Sequence, residues 1–179
     1  MRSKRLFVAI ELPEVVGGEL VRLGTSIPGV RWHPLEKLHL TLAFLGDRVS
    51  AEGQGKLWET LRGVRRTSFF LPLAGTGWFG GERPRALWVG AGGGGAELGA
   101  LYREVGEAVR AAGGTVEGKA FVPHVTVAYC GRETPAGAVA RWQQENAGFD
   151  AGRMEVRGFA LFSSAGGVYS KEGSVSWED

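Results

Sequence analysis

A chain of 179 residues suits one domain, and 44% hydrophobic with 22% charged residues is the balance of an ordinary globular protein. A net charge of only +2 excludes a polycation with a sequence-independent grip on duplex nucleic acid, although sixteen of the twenty-one basic residues are arginine, whose planar fork suits phosphate oxygens. The single cysteine, Cys130, excludes an internal disulfide framework and a multi-cysteine metal cage, and points to a reduced, cytoplasmic setting.

The opening MRSKRLFVAIELPE imitates a secretory leader, but its apolar run covers only residues 6–10 before Glu11 and Glu14. That is too short for a leader core or a membrane span, and residues 5–12 are expected to form a buried strand. Pro13 and Glu14 then open a helix to about residue 25, with proline and an acid at the favoured end. Residues 38–45 form a strand stopped by Gly46 and Asp47. Ser50 caps a helix through residue 62, weakened by Gly53 and Gly55. Residues 68–80 and 85–89 are two strands joined through the turn-rich GGERP. The glycines at 92–95 form a flexible connection; without a following lysine and hydroxyl residue they do not make a phosphate-cradling loop.

Residues 96–112 are the clearest amphipathic helix, with Leu98, Leu101, Val105 and Val109 on one face and Gly113-Gly114 after it. A strand over 123–130, a helix over 135–146 and strands over 155–163 and 168–174 complete the chain. The succession is mixed α+β with two halves of similar content.

One pattern occurs in each half. His39-Leu40-Thr41-Leu42-Ala43-Phe44 returns 85 residues later as His124-Val125-Thr126-Val127-Ala128-Tyr129. That separation is near half the chain and far too long for a solenoid period, so it indicates two facing lobes. Strict alternation along a strand would put histidine, threonine and alanine on one face and the larger apolar residues on the other. The apolar face would build the core, while alanine would leave space beside the polar pair. Two such strands around one cavity would bring together two imidazoles and two hydroxyls. One imidazole can then act as base while the other, protonated, acts as acid, and the hydroxyls can hold phosphate oxygens. Either copy alone would pass as exposed strand residues. A zinc site is the weaker alternative, because no acidic or cysteine partner stands in register.

These motifs resemble the paired His-x-Thr-x signature of the 2H phosphoesterase superfamily. The chain is similar to its bacterial and archaeal branch, the RNA 2′,3′-cyclic phosphodiesterases, earlier described as 2′-5′ RNA ligases. The likeness runs through RLFVAIELP, VRWHPLEKLHLTLAFLG, RPRALWVG, FVPHVTVAY and LFSSAGGVYS. The resemblance implies one bilobal domain over residues 1–179: two pseudo-symmetric lobes, each an antiparallel sheet with helices on its outer face, with the active-site cleft between them. It implies His39 as proton donor, His124 as proton acceptor, and Thr41 and Thr126 as phosphate-binding residues. No metal or other cofactor is implied. The implied partner is an RNA or nucleotide with a 2′,3′-cyclic phosphate end, opened to a 2′-phosphate by a monomer with no membrane attachment. Some members also join ends through a 2′-5′ bond.

One position departs from the pattern. Relatives often carry arginine where this chain has Tyr129. Arg132 could replace it, Tyr129 could stack on a base, or Tyr129 could be core, as alternation would place it. Arg83 and Arg85 could line the cleft rim, and Phe79 with Trp32, Trp78 and Trp88 could supply a base-stacking platform, although most large aromatics are core. His33 has no repeat partner and is expected at the surface or in a loop. Cys130 has no base within its strand and is not expected to be a nucleophile. The competing readings are a non-catalytic nucleotide- or RNA-binding module of the same fold, and a 2′-5′ RNA ligase or 2′-5′ phosphodiesterase activity.

Overall fold

The computed structural model of the chain describes residues 4–46, 49–92, 95–116 and 118–178. Its first strand, β1 (Arg5–Glu11), is apolar from Leu6 to Ile10, and all five of those side chains are buried. Burial on both faces requires neighbours on both edges, and β1 lies between β3 (His39–Gly46) and β9 (Gly158–Ala165). α1 (Glu14–Val21) is shorter than the sequence suggests. After Val21 the backbone bonds tighten, with Leu23 donating to Leu20 and Gly24 to Val21, so the helix closes in turns. The three-residue β2 (Val30–Trp32), which has too little pattern to be foreseen, pairs with β7 (His124–Cys130).

The strand expected over residues 68–80 is two strands in two sheets. β4 (Phe69–Ala74) pairs with β8 (Asp150–Val156), whereas β5 (Thr76–Phe79) pairs with β6 (Ala86–Gly90). The break is Gly75, whose φ of +74° turns the chain through a region that side-chain-bearing residues avoid. The strand expected over residues 155–163 likewise divides into β8 and β9, and β10 (Val168–Ser176) completes the edge.

The fold is α+β with antiparallel sheets, as expected. The large sheet runs β10-β9-β1-β3-β7-β6-β5 with β2 beside β7, and β4-β8 form a second, two-stranded sheet. α2 (Ala51–Leu61) is capped by Ser50, whose Oγ accepts from Gly53 N–H at 3.0 Å, as the sequence indicated. It packs on α3 (Gly95–Ala111), and the Thr60 hydroxyl lies 2.9 Å from the carbonyl oxygens of both Leu57 and Ala108. The connection expected over 92–95 falls partly on residues 93 and 94, outside the described residues, as do Met1–Ser3 of the opening segment and Asp47. α3 buries Leu98, Leu101, Val105 and Val109 and packs on β3, while α4 (Ala136–Glu145) packs on β5 and anchors Trp142 Nε1 on the Leu23 carbonyl at 3.1 Å. Truncating such a buried leucine to alanine costs about 2–5 kcal/mol. No helix among the described residues is long and apolar enough to cross a membrane.

Candidate active site

The two motif strands meet at the seam of the large sheet, and among the described residues β3 and β7 share a single pair, Leu40 opposite Val125. Continuing that antiparallel register one residue each way sets His39 opposite Thr126 and Thr41 opposite His124. Diagonal neighbours in a regular ladder lie roughly 7–8 Å apart, which leaves room for a tetrahedral anion between the imidazoles. Leu40, Leu42, Val125 and Val127 are buried beneath.

The alternation fails at the fifth motif position, in both copies and in the same way. On β3, Val8 faces Ala43 but Ala9 faces Thr41, so Leu42 is an extra residue. On β7, Leu87 faces Ala128 but Trp88 faces Thr126, so Val127 is the extra one. Each is a β-bulge, which re-aims the side chains beyond it. Ala43 and Ala128 are therefore buried at 4% and 0% exposure, not spacers beside the histidines. Phe44 and Tyr129 turn outward at 54% and 45% exposure. The reading of Tyr129 as core is thereby corrected.

Both histidines are held by the same contact. His39 Nδ1 lies 2.8 Å from the Lys37 carbonyl and His124 Nδ1 2.6 Å from the Val122 carbonyl, each two residues back. A carbonyl only accepts, so each Nδ1 carries a proton and each Nε2 is left for chemistry. Each ring also sits among aromatics. His39 stands 4.9 Å from the Phe7 ring and 5.5 Å, edge-on, from Tyr169; His124 stands 4.9 Å from Phe79, edge-on. Trp88 closes over Gly77, where a Cβ would come within 2.3 Å of the indole, so only glycine fits beneath it.

Burial pushes the His39 pKa down from 6.5 to about 4, against the opposing pull of the Lys37 carbonyl, with His33 and His124 depressing it further. His124 is lowered as well, by burial, with the Val122 carbonyl opposing. Both imidazoles are thus neutral near pH 7.

Two cavities flank the pair. The larger, about 480 Å³, takes in Thr41, His124, Phe44, Phe79, Arg85 and Tyr129, with Tyr102 and Phe121 stacked at 4.0 Å in its wall. The smaller, about 230 Å³, takes in His39 with Phe162 and Tyr169. Arg83 and Arg132 line neither; they share a third cavity with Arg85. Of the tryptophans weighed as a platform, Trp88 lies beside His124, Trp32 packs against Trp142, and Trp78 Nε1 donates to the Gly81 carbonyl at 2.9 Å.

His33 lies in the loop that follows β2, as expected, though not at the surface. It is half-buried, its ring meets Tyr129 edge-on at 4.8 Å, and its backbone N–H donates to the Val127 carbonyl at 2.8 Å. Burial lowers its pKa, Lys37 lowers it further, and the Thr126 carbonyl opposes both. Phe7, Phe44, Phe162 and Tyr169 also reach the site unforeseen. The repeat itself carried a signal only for Phe44, as the partner of Tyr129. Among the described residues, no group of three or more His, Cys, Asp or Glu side chains is placed to hold a metal ion.

Residues 23–168 match the family model described as the 2′-5′ RNA ligase superfamily. An RNA 2′,3′-cyclic phosphodiesterase of Aeropyrum pernix is 32% identical over 163 residues, 88% of this chain and 90% of its own. A protein of the same name from Archaeoglobus fulgidus is 32% identical over 166 residues, 89% and 90% of the two chains. Among solved structures, E. coli LigT complexed with 3′-AMP matches with a TM-score of 0.79 at 25% identity, covering 99% of each chain. A Thermus thermophilus protein matches with a TM-score of 0.76 at 28% identity, covering 96% of this chain and 97% of its own.

Proposed function

The chain belongs to the 2′-5′ RNA ligase superfamily and hydrolyses 2′,3′-cyclic phosphate ends of RNA, and we propose that it does so with its two motif histidines as acid and base. The observation that carries this reading is the pair of imidazoles at the seam, each with Nδ1 tied to a carbonyl and Nε2 unspent. His124 Nε2 takes a proton from water as the water oxygen bonds to phosphorus. His39 Nε2–H gives its proton to the ribose 3′ oxygen as the P–O3′ bond breaks, leaving a 2′-phosphate and a 3′-hydroxyl. Thr41 and Thr126 donate to the non-bridging oxygens, where negative charge accumulates. The aromatic cavity beside Thr41 and His124 accepts the base of the terminal nucleotide.

His39 must be protonated to act, although burial by itself favours the neutral ring. The negative phosphodiester supplies the missing stabilisation, so the acid is charged as the substrate arrives. All four groups come from one chain, which supports a single bilobal unit working as a monomer. An RNA substrate and a lone cysteine favour a cytoplasmic place of work.

The test is incubation with an oligonucleotide ending in a 2′,3′-cyclic phosphate, in excess EDTA, with the position of the product phosphate read by NMR. A 2′-phosphate formed at an undiminished rate is expected. Loss of turnover in EDTA, restored by one divalent ion, would replace the acid–base pair with a metal-assisted route. Tight binding without turnover would make the protein a binding module.

A further inference from the structure

Just past Tyr129 in the chain, Cys130 and Gly131 help to line a cavity of about 710 Å³. Arg85 lines both this space and the aromatic cavity, so the two adjoin through it. Arg83, Arg132 and Thr134 contribute the other polar groups, with Glu82 the one carboxylate in the lining. We propose that this cavity is a second phosphate subsite, which receives the phosphodiester on the 5′ side of the terminal nucleotide. It rests on the cyclic phosphodiesterase reading above and deepens it: the enzyme is built to prefer RNA ends to free cyclic nucleotides.

Three arginines line one space, none of them in an ion pair with a described residue, with Glu82 in the same lining and the Glu133 carboxylate beside Gly131. All three side chains are exposed, so their forked donors can turn onto an incoming anion, and a phosphate suits them best. Thr134 points the same way. It is only 7% exposed, and its Oγ1 is buried with no hydrogen-bond partner. A buried hydroxyl left unpaired is costly, and a phosphate oxygen is the acceptor this cavity would supply. Oγ1 lies close to Gly29, where an added Cβ would come within 2.6 Å of it.

The backbone that carries the arginines is pinned. Arg85 N–H donates to the Phe79 carbonyl at 2.8 Å, and Cys130 N–H donates to the Arg85 carbonyl at 2.8 Å. At ~3.3 Å per strand residue, Cys130 stands roughly 13 Å along β7 from Thr126, near enough for the flexible arginines to reach back toward the neighbouring nucleotide. With the terminal base in the aromatic cavity, its 5′ phosphate emerges beside Arg85.

The experiment compares the wild type with R83A/R132A and with Thr134→Val, leaving Arg85 intact because it also lines the cleft. The substrates are a nucleoside 2′,3′-cyclic phosphate, the same compound carrying a 5′-phosphate, and a trinucleotide with a cyclic end. In the double variant KM should rise about tenfold or more for the two phosphate-bearing substrates. The bare cyclic nucleoside should keep its KM and kcat. Binding of a 3′-phosphate-ended trinucleotide is measured in parallel, and its salt slope should fall by roughly 0.7 per contact removed. Equal losses on all three substrates, or none on any, would overturn the subsite. If the wild type hydrolyses none of them, the activity reading fails, and the binding arm still decides. Identical affinity and salt slope in wild type and double variant then reject the subsite, whereas a weakened, flatter response keeps it.

Discussion

Leu40 faces Val125 across the seam where the two halves of the large sheet join, and both side chains are fully buried. Their burial orients everything beside them. A residue on either side of each must face the opposite way, into the cleft, so one apolar pair sets the directions of His39, Thr41, His124 and Thr126.

If the imidazoles act as one unit, His39→Ala and His124→Ala should each lower kcat by about 10²–10⁴. The double variant should be little worse than either single. Steady-state kinetics on a cyclic-phosphate oligonucleotide checks this. A substrate whose 3′ leaving group needs no proton should rescue His39→Ala alone; rescue of His124→Ala instead would reverse the two roles.

Anion binding should be accompanied by proton uptake near pH 7. The His39 pKa is lowered to about 4 because burial disfavours its charged form, and a bound phosphate group opposes that effect. Calorimetric titration with inorganic phosphate, in buffers of differing ionisation enthalpy, reads the uptake directly. His39→Gln should abolish it. Uptake that persists in this variant would move the charged imidazole to His124.

The same shift has a consequence for stability. Because the folded-state pKa lies below the unfolded value of 6.5, the unfolded chain binds the proton first as pH falls. His39 therefore leaves stability untouched above about pH 6.5 and erodes it as the pH drops from 6.5 toward 4. Thermal melts across that window should show a flatter acid decline for His39→Gln than for the wild type. Parallel curves would mean that the imidazole is not desolvated.

Phe44→Ala should raise KM for nucleotide substrates with kcat little changed. The ring is 54% exposed and lines the aromatic cavity, so its removal costs the fold little. A base stacked there would lose about 1–3 kcal/mol. An unchanged KM, with kcat reduced, would place the base elsewhere.

The histidines and threonines could be found in the sequence because their signal is local: the same six residue types in the same order, once in each half. Ser50 as a cap and the apolar face of α3 were visible for the same reason, since caps and helical periodicity are properties of one short segment. Gly75 could be seen as a glycine but not as the point where one strand becomes two, because that depends on which partner each half finds.

The largest difference lies at Ala43 and Ala128. Alternation is a rule for a single strand, whereas a bulge is a relation between two, with two residues on one strand opposing one on its neighbour. No pattern within HLTLAF or HVTVAY states where β1 or β6 will slip by one residue. The packing of the sheet decides it, and thereby decides that Ala43 and Ala128 are buried while Phe44 and Tyr129 turn outward. The same holds for Phe7, Phe162, Tyr169 and His33, which come from segments far apart in the chain. Composition could identify them as aromatic or basic, but only the order of strands in the sheet brings them to the histidines and sets the dry surroundings that lower the pKa of His39.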